Sequence, residues 1–173
     1  LADLTGADLT GADLTEAYLY GTVLEKATLN NAVLSKADLR WSDLYNANLT
    51  GGNLNGANLS EANLRWANFT SAKIIGSELR RADLYKATLE GADLTRADLH
   101  EANLVGVIGA DFTGALNVPA KSLGSTETAC RLTGGEIVQS GWTGKDTGDN
   151  SCNSCFCTNG ALGCTKMACP AHR

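Results

Sequence analysis

A five-residue repeat dominates the chain and limits its fold more than any other feature. Leucine recurs at every fifth position from Leu4 to Leu104, which gives 21 consecutive units, with another residue in its place only at Phe69 and Ile74. The residue two positions earlier is alanine in 17 units, and the residue between is aspartate or asparagine in 14 units. Most units therefore supply one large apolar side chain, one small one and one polar one.

A period of five fits neither a helix nor a straight strand. On an α-helix, five residues advance about 140° beyond a full turn, so the leucines would spiral around the axis. On a straight strand, an odd period places successive leucines on opposite faces. The leucines share one interior only if the chain turns a corner in every unit. Four right-angle corners then make a square coil of about 20 residues, which is a solenoid architecture.

Units such as Ala-Asp-Leu-Thr-Gly resemble the pentapeptide-repeat family, and the resemblance covers about residues 1–116. It implies an all-β fold, namely a right-handed quadrilateral β-helix of about five coils, stacked about 4.8 Å apart. Leucine ladders fill its interior. We expect the polar residue before each leucine, such as Asn48 or Asn68, to serve turn geometry, because aspartate and asparagine side chains bond to nearby backbone.

The two ends of the repeats lead to different expectations. The register breaks after Leu104, and residues 105–123 are predicted to form a C-terminal cap, because an open coil exposes unpaired backbone. The apolar residues of this cap include Phe112, Leu116, Val118 and Leu123. Leu1 begins in mid-pattern, without a methionine or a recognisable leader. The chain is therefore interpreted as a mature form or a fragment, whose first coil is covered by further residues or by a partner.

The unbroken register assigns every outward residue to one of the four sides of the coil. All six outward aromatic residues of the repeats, and six of their nine lysines and arginines, fall on two adjacent sides. Since Tyr, Trp and Arg are enriched at binding hot spots, we predict a surface that binds a protein partner, named here the aromatic–arginine corner. The alternative is that these side chains cover one another as cation–π pairs. The corner consists of Tyr18, Tyr20, Arg40, Trp41, Tyr45, Arg65, Trp66, Arg80, Arg81, Tyr85 and Lys86.

All six cysteines lie in the last quarter of the chain. We therefore predict a second domain at residues 130–170, after a linker at 117–129. An even number of cysteines favours a disulfide framework, because so short a segment buries little apolar surface. Zinc binding is the alternative, since Cys152 and Cys155 have zinc-ligand spacing and His172 lies nearby. Six thiols do not, however, make a regular set of four ligands.

The pattern Cys-Asn-x-Cys-x-Cys, followed by Gly160 and Cys-Thr-x-x-x-Cys, is similar to the pacifastin-type inhibitors of serine proteases. The match covers about residues 152–169, whereas the stretch between the first two cysteines is longer here than in that family. The resemblance implies an inhibitory loop whose lysine suits the acidic pocket of a trypsin-like protease. The loop consists of Thr165, Lys166 and Met167, with Asn153 as its brace. The implied disulfides are Cys130–Cys157, Cys152–Cys169 and Cys155–Cys164.

Composition and motifs exclude several classes of function. The net charge of −5 argues against general nucleic-acid binding, which needs a basic surface. The sequence has no stretch of about 18 apolar residues, so it predicts no membrane span. It also has no nucleophile elbow, phosphate loop or metal triad. We therefore predict that the protein is not an enzyme, with no catalytic residues, no metal site and no cofactor.

Two functions remain open at this point. The first is a non-catalytic scaffold for protein–protein interaction. The family resemblance places such a scaffold in photosynthetic lineages, as a lumenal subunit of a photosynthetic membrane complex. The second is a secreted inhibitor of a trypsin-like protease. Both need an oxidising compartment for the cysteines, which is the thylakoid lumen in the first case and the extracellular space in the second.

Overall fold

The computed structural model describes residues 2–119 with their side chains and, further along the chain, the backbone of five short strands. The chain divides into two compact units, Leu1–Ser122 and Leu123–Arg173. The first unit holds the repeats and the second holds the cysteines. The regular hydrogen-bonded structure of the described residues is all β.

The repeats form a coil that returns to the same position after every fourth unit. The residue before each core leucine makes a parallel bridge to its counterpart four units later, beginning with Asp3 and Val23. Each step uses two backbone bonds: Leu4 N–H donates to the Val23 carbonyl (2.7 Å), and Val23 N–H donates to the Ala2 carbonyl (3.0 Å). Four units therefore make one turn, and the predicted quadrilateral coil is confirmed.

Each corner of the coil is the same four-residue turn. In the first, Ala7 N–H donates to the Leu4 carbonyl (3.0 Å), and Gly6, third in the turn, has a φ of 65°. A positive φ at this position is the mark of a type II turn and favours glycine. Of the 21 corners, eight have glycine there and 13 have a larger residue, among them Trp41 (φ 59°) and Trp66 (φ 61°). A residue with a Cβ costs about 1–2 kcal/mol in this left-handed region, so turn geometry does not explain the larger residues.

Two sets of apolar side chains fill the interior of the coil. From Leu24 to Leu104, every residue at the leucine position is at most 2% exposed, and the alanines two residues earlier are at most 7% exposed. The leucines of the first coil are only partly buried. Ser42 and Ser77 replace alanine, and their hydroxyls donate to backbone carbonyls at 2.6 and 2.7 Å. The predicted leucine ladder is therefore confirmed, and these buried hydroxyls are satisfied.

The polar residue before each core leucine helps to form the corner that follows. The Oδ1 atom of Asn68 accepts a bond from the Thr70 N–H (2.9 Å) and another from the Thr70 hydroxyl (2.6 Å). This arrangement confirms the predicted turn role. In the first coil, bonds from threonine hydroxyls, and then from their N–H groups, lower the pKa of Asp3, Asp8 and Asp13. These carboxylates are thus held ionised by the turns that they stabilise.

One column of these polar side chains alternates between charged and neutral residues. It runs through Asp43, Asn63, Asp83 and Asn103, each four units from the next, and is named here the polar ladder. Asn63 Nδ2 donates to Asp43 Oδ1 (2.8 Å), and Asn103 Nδ2 donates to Asp83 Oδ1 (2.8 Å). Adjacent strands lie about 4.8 Å apart, at which distance two carboxylates repel each other. The alternation gives each of these carboxylates an amide donor from the next coil.

The coil shortens at its C-terminal end. Beyond residue 108 the bridges leave the five-residue register, since Asp98 pairs with Leu116, two positions before the partner that the repeat would give it. Phe112 and Val118 pack against the core, whereas Leu116 is 48% exposed and contributes through its backbone. Leu123, the last residue predicted for the cap, lies outside the described residues.

Asp98 ties this shortened end to the coil. Its Oδ1 atom accepts bonds from Asn117 Nδ2 (2.8 Å) and the His100 N–H (3.1 Å), and its Oδ2 atom accepts one from Arg80 Nε (2.7 Å). The side chain is 13% exposed. These bonds, led by the one from Asn117, lower the pKa of Asp98. An ionised carboxylate therefore joins the closing segment to the coil before it.

In the second unit, the residues that the structure describes form five short strands in two antiparallel sheets. The strands are β1 (Ala129–Arg131), β2 (Ile137–Gln139), β3 (Thr143–Lys145), β4 (Ser154–Thr158) and β5 (Ala161–Cys164). β1 pairs with β2, while β4 lies between β3 and β5 in the other sheet. In the register of β4 and β5, Cys155 lies opposite Cys164.

Candidate interaction surface

The aromatic–arginine corner lies along two successive corners of the coil. Apart from Tyr18, its residues occupy the second and third positions of the turns there. Five of its six aromatic side chains are exposed, with values from 36% for Tyr45 to 58% for Trp41 and 76% for Tyr18. Tyr85 is half-buried. Exposed aromatic residues grouped in this way are typical of contact surfaces.

Three of the aromatic rings are covered by cations from an adjacent coil. In each case the two residues are four units apart and therefore occupy equivalent places in neighbouring coils. The pairs, with the distance from cation to ring centre, are Arg40 on Tyr20 (5.5 Å), Arg65 on Tyr85 (4.8 Å) and Lys86 on Trp66 (4.6 Å). Mutual cation–π covering, the alternative that the sequence left open, thus describes these three rings.

The arginines of the corner are neutralised by nearby carboxylates. The ion pairs, with their N–O distances, are Arg40–Asp38 (2.7 Å), Arg65–Asp83 (3.3 Å), Arg80–Asp98 (2.7 Å) and Arg81–Glu101 (2.6 Å). The hydrogen bond from Arg40 lowers the pKa of Asp38. Exposed ion pairs contribute little to stability, but they cancel the positive charge of these side chains. The corner consequently presents aromatic surface more than net positive charge.

Trp41 differs from the covered rings. Among residues 2–119, its indole contacts no other ring and no cation. The equivalent places in the neighbouring coils are occupied by Gly21 and Glu61, whereas Trp66 has Lys86 there. Glu61 was not among the residues predicted from the sequence. The signal that identifies it is the column of equivalent positions, which can be read once the coil length is known.

The described residues contain neither a metal centre nor a membrane-spanning segment. No group of three histidine, cysteine, aspartate or glutamate side chains within them is placed to hold a metal ion. Likewise, no helix in that part of the chain is long and apolar enough to cross a bilayer.

The predicted cysteine and inhibitor sites fall largely outside what the structure describes. Only the backbone is described for four of the cysteines, which are Cys130, Cys155, Cys157 and Cys164. The other residues of these sites lie outside the described ranges: Cys152, Cys169, Asn153, Thr165, Lys166 and Met167. The inhibitory loop and the zinc alternative therefore stay predictions.

Comparison with known proteins identifies the repeats. A family model for pentapeptide repeats matches the chain in eight copies, over residues 2–40, 12–51, 53–84 and 77–116. No curated protein matches the chain.

Several solved structures resemble the chain. A pentapeptide repeat protein from the cyanobacterium Cyanothece is 35% identical, over 66% of this chain and 63% of its own, with a TM-score of 0.35. Another, from Nostoc, is 32% identical, over 63% of this chain and 83% of its own, with a TM-score of 0.45. A third, from the thylakoid lumen of Arabidopsis thaliana, is 30% identical, over 61% of this chain and 63% of its own, with a TM-score of 0.22. The chain thus spans just under two thirds of the Cyanothece and Arabidopsis proteins.

The family match extends over more than half of the 173 residues. It coincides with the coil, whose four corners and four-unit period follow from the bridges described above. Proteins of this family form right-handed β-helices, are generally non-catalytic and commonly mediate protein interactions. The chain belongs to the pentapeptide-repeat family.

Proposed function

We propose that this protein is a non-catalytic scaffold that binds a protein partner through the aromatic–arginine corner. The observation that carries the proposal is Trp41, whose side chain is 58% exposed at a turn position with a φ of 59°. An exposed indole on left-handed backbone stabilises neither the turn nor the core. Tryptophan is among the residues most enriched at binding hot spots. Contact with a partner therefore accounts for a residue that the fold does not need.

Two other rings of the corner support the proposal because neighbouring side chains hold them. Trp66 and Tyr85 meet edge to face, with ring centres 6.2 Å apart and planes at 78°. Lys86 Nζ lies 4.6 Å from the centre of the Trp66 ring and 5.3 Å from that of Tyr85. Side chains that are ordered before binding lose less conformational entropy when a partner arrives. The corner is thus prepared for contact without rearrangement.

We also propose that the protein works in an oxidising compartment, namely the thylakoid lumen, as a subunit of a photosynthetic membrane complex. The six cysteines support the compartment, because disulfides persist in oxidising surroundings. The opposed positions of Cys155 and Cys164 in β4 and β5 favour one disulfide. Opposed residues in antiparallel strands have Cα atoms about 4.5–5.5 Å apart, within the range of about 4.4–6.8 Å that disulfides span.

The state of the cysteines is directly measurable. We expect every thiol of the protein isolated without reductant to resist alkylation in denaturant and to react after reduction, because each one is held in a disulfide. Intact-mass spectrometry with iodoacetamide, before and after reduction, checks this. Thiols that react in denaturant with a chelator and without any reductant would indicate zinc and contradict the disulfide framework.

The substitution Trp41→Gly tests the docking surface. Glycine removes the indole and relieves the left-handed backbone, so we expect the free energy of unfolding to stay constant or to rise by up to about 1 kcal/mol. Affinity for the partner is expected to fall at least about tenfold, as at other hot spots. Chemical unfolding measures the first effect, and quantitative capture from native extract measures the second.

A matched control is available at another corner of the coil. Lys36 occupies the same turn position, with a φ of 58°, on a side without aromatic residues. Lys36→Gly is expected to affect stability as Trp41→Gly does and to leave capture unchanged. If Trp41→Gly captures the same proteins as the wild type with equal yield, the docking proposal is wrong.

A further inference from the structure

One regularity of the coil relates each covered ring to its neighbours. Tyr20, Trp66 and Tyr85 are each covered by a cation that lies four units away along the chain, and Tyr85 also has its chain neighbour Lys86 at 5.3 Å. The coil therefore can place a lysine or arginine on an aromatic ring of the same column, as it does at these three rings. This geometry results from the backbone register and recurs at independent places on the surface.

At Trp41 the equivalent position, four units later, is occupied by an acidic residue, Glu61. Trp41 N–H donates to the Ser60 carbonyl (3.2 Å), so the two coils are in register and Glu61 is the column neighbour of Trp41. Glu61 is half-buried and has a φ of 61°. Within residues 2–119 its carboxylate makes no ion pair. Arg81, one coil further on, lies within its electrostatic reach but gives its guanidinium to Glu101 at 2.6 Å.

We propose that Trp41 and Glu61 form a receptor site for one cationic side chain, an arginine or a lysine, of the partner protein. The cation stacks on the indole, as Lys86 stacks on Trp66, and the carboxylate supplies the charge that attracts and orients it. This inference rests on the proposed function, because it specifies the chemistry of the partner residue that contacts Trp41 on the docking surface.

Charge complementarity favours a cationic side chain over an acidic side chain, an apolar side chain or nucleic acid at this site. An acidic side chain on the indole would face Glu61 with like charge, and a purely apolar one would desolvate the carboxylate without a counter-charge. Nucleic acid is repelled by the same carboxylate. A cation alone satisfies both groups, and its stacking strengthens as the partner excludes water.

The substitution Glu61→Lys places a cation of the protein itself on the Trp41 indole, in the place that we propose for the partner's cation. It recreates at Trp41 the arrangement seen at Trp66 and Lys86, and Lys86 shows that lysine is accepted at this turn position, with a φ of 55°. The probes are two end-blocked tripeptides, Gly-Arg-Gly and Gly-Glu-Gly, titrated against the isotope-labelled full chain. The indole N–H signal of Trp41, assigned by its loss in Trp41→Gly, is followed by nuclear magnetic resonance.

We expect the arginine peptide to shift the Trp41 signal saturably in the wild type, and the glutamate peptide to leave it unmoved. In Glu61→Lys the apparent affinity for the arginine peptide should fall at least about fivefold, since the site is filled and its charge reversed. Glu90→Lys makes the same charge change on another side of the coil and should respond like the wild type. The Trp66 signal, whose ring is already covered, should be unaffected by both peptides.

The outcomes separate this inference from the docking proposal. An equal response to both peptides, no response to either, or an equal response from Glu61→Lys and Glu90→Lys overturns the cation site. If Trp41→Gly loses the captured partner while Glu61→Lys keeps it fully, the docking surface stands and the cation site is wrong. If the arginine peptide binds as expected but neither variant alters capture, Trp41 and Glu61 bind a cation, but the docking proposal, and with it the partner as the source of that cation, is wrong.

Discussion

Leu54→Ala is expected to lower the free energy of unfolding by about 2–5 kcal/mol, the usual cost of such a cavity. Leu54 is fully buried in the middle of the leucine ladder. The backbone above and below it is bonded to adjacent coils, as by the bond from Leu54 N–H to the Lys73 carbonyl (2.7 Å). These bonds restrain the walls, so the cavity cannot collapse. Unfolding in urea, followed by circular dichroism, measures the loss.

Leu9→Ala is the matched control for this prediction. Leu9 lies in the first coil, where the same ladder is only partly buried, so less apolar surface is returned to water and no enclosed cavity forms. We expect less than half of the loss caused by Leu54→Ala. Because the stability of a solenoid is a sum over neighbouring repeats, the central variant should also broaden the transition. Equal losses from the two variants would contradict a core that is strongest at its middle.

Asn63→Asp is expected to cost about 2 kcal/mol at neutral pH, because it places three carboxylates in succession along the polar ladder. The new side chain lies between Asp43 and Asp83 and also loses the amide donor that now bonds Asp43 at 2.8 Å. Arg65, paired with Asp83 at 3.3 Å, then has three carboxylates to neutralise instead of two. The bond that Arg65 N–H donates to the side-chain oxygen of residue 63 is retained by aspartate. The loss of stability therefore measures the effect of the added charge and not a disruption of the turn.

The pH dependence of this variant has a definite sign. Its neighbours raise the folded-state pKa of the new carboxyl above the ordinary value of about 3.9. A raised folded pKa means that the folded protein holds the proton more tightly than the unfolded chain does. The loss of stability therefore grows as pH rises from the ordinary pKa to the raised one, and it nearly disappears below about pH 4. Unfolding curves of wild type and variant at pH 7 and pH 3.5 test this. A deficit that is the same at both values would rule out charge repulsion as its cause.

Asn53→Asp is the control for the charge itself. The substitution is identical, and the Asn55 N–H can still donate to the side chain of residue 53. Its column neighbours, however, are Val33 and Lys73, so the new carboxylate has an adjacent cation and no adjacent anion. We expect a change within about 0.5 kcal/mol, as is usual for an exposed pair. A loss as large as that of Asn63→Asp would show that any carboxylate is harmful in these columns.

The five-residue period was sufficient to predict the coil, because no straight element can hold leucines at that spacing on one side. It also assigned the inside and outside correctly from Leu24 to Leu104. The left-handed backbone at corners such as Trp41 could not be predicted from the sequence. Glycine is the usual signal for such backbone, and 13 of the 21 corners lack it. There the hydrogen bonds between coils determine the turn and the side chain conforms to it.

Contacts on the surface were less predictable than the core. Arg65 has tyrosines one coil away on both sides, Tyr45 and Tyr85, yet it stacks on Tyr85 because Asp83 binds the same guanidinium. Such competition between side chains is not contained in the repeat. The polar ladder and the Trp41–Glu61 neighbourhood could have been read at an interval of four units, but only after the coil length had been established. The cysteine pairing has no comparable periodicity, since spacing alone does not determine which thiols meet.

The square coil has two repeat periods, one for its core and one for its surface. The core pattern repeats with every unit, so a single inserted unit leaves every leucine inside. The surface pattern repeats every four units, so one unit inserted between Trp66 and Lys86 would move Lys86 to the next side of the coil and separate it from Trp66. Gain or loss of a complete turn is the change in length that preserves both. Duplication of whole coils would therefore let such a protein grow longer without erasing its chemistry, whereas duplication of single units would scramble the exterior of an intact fold.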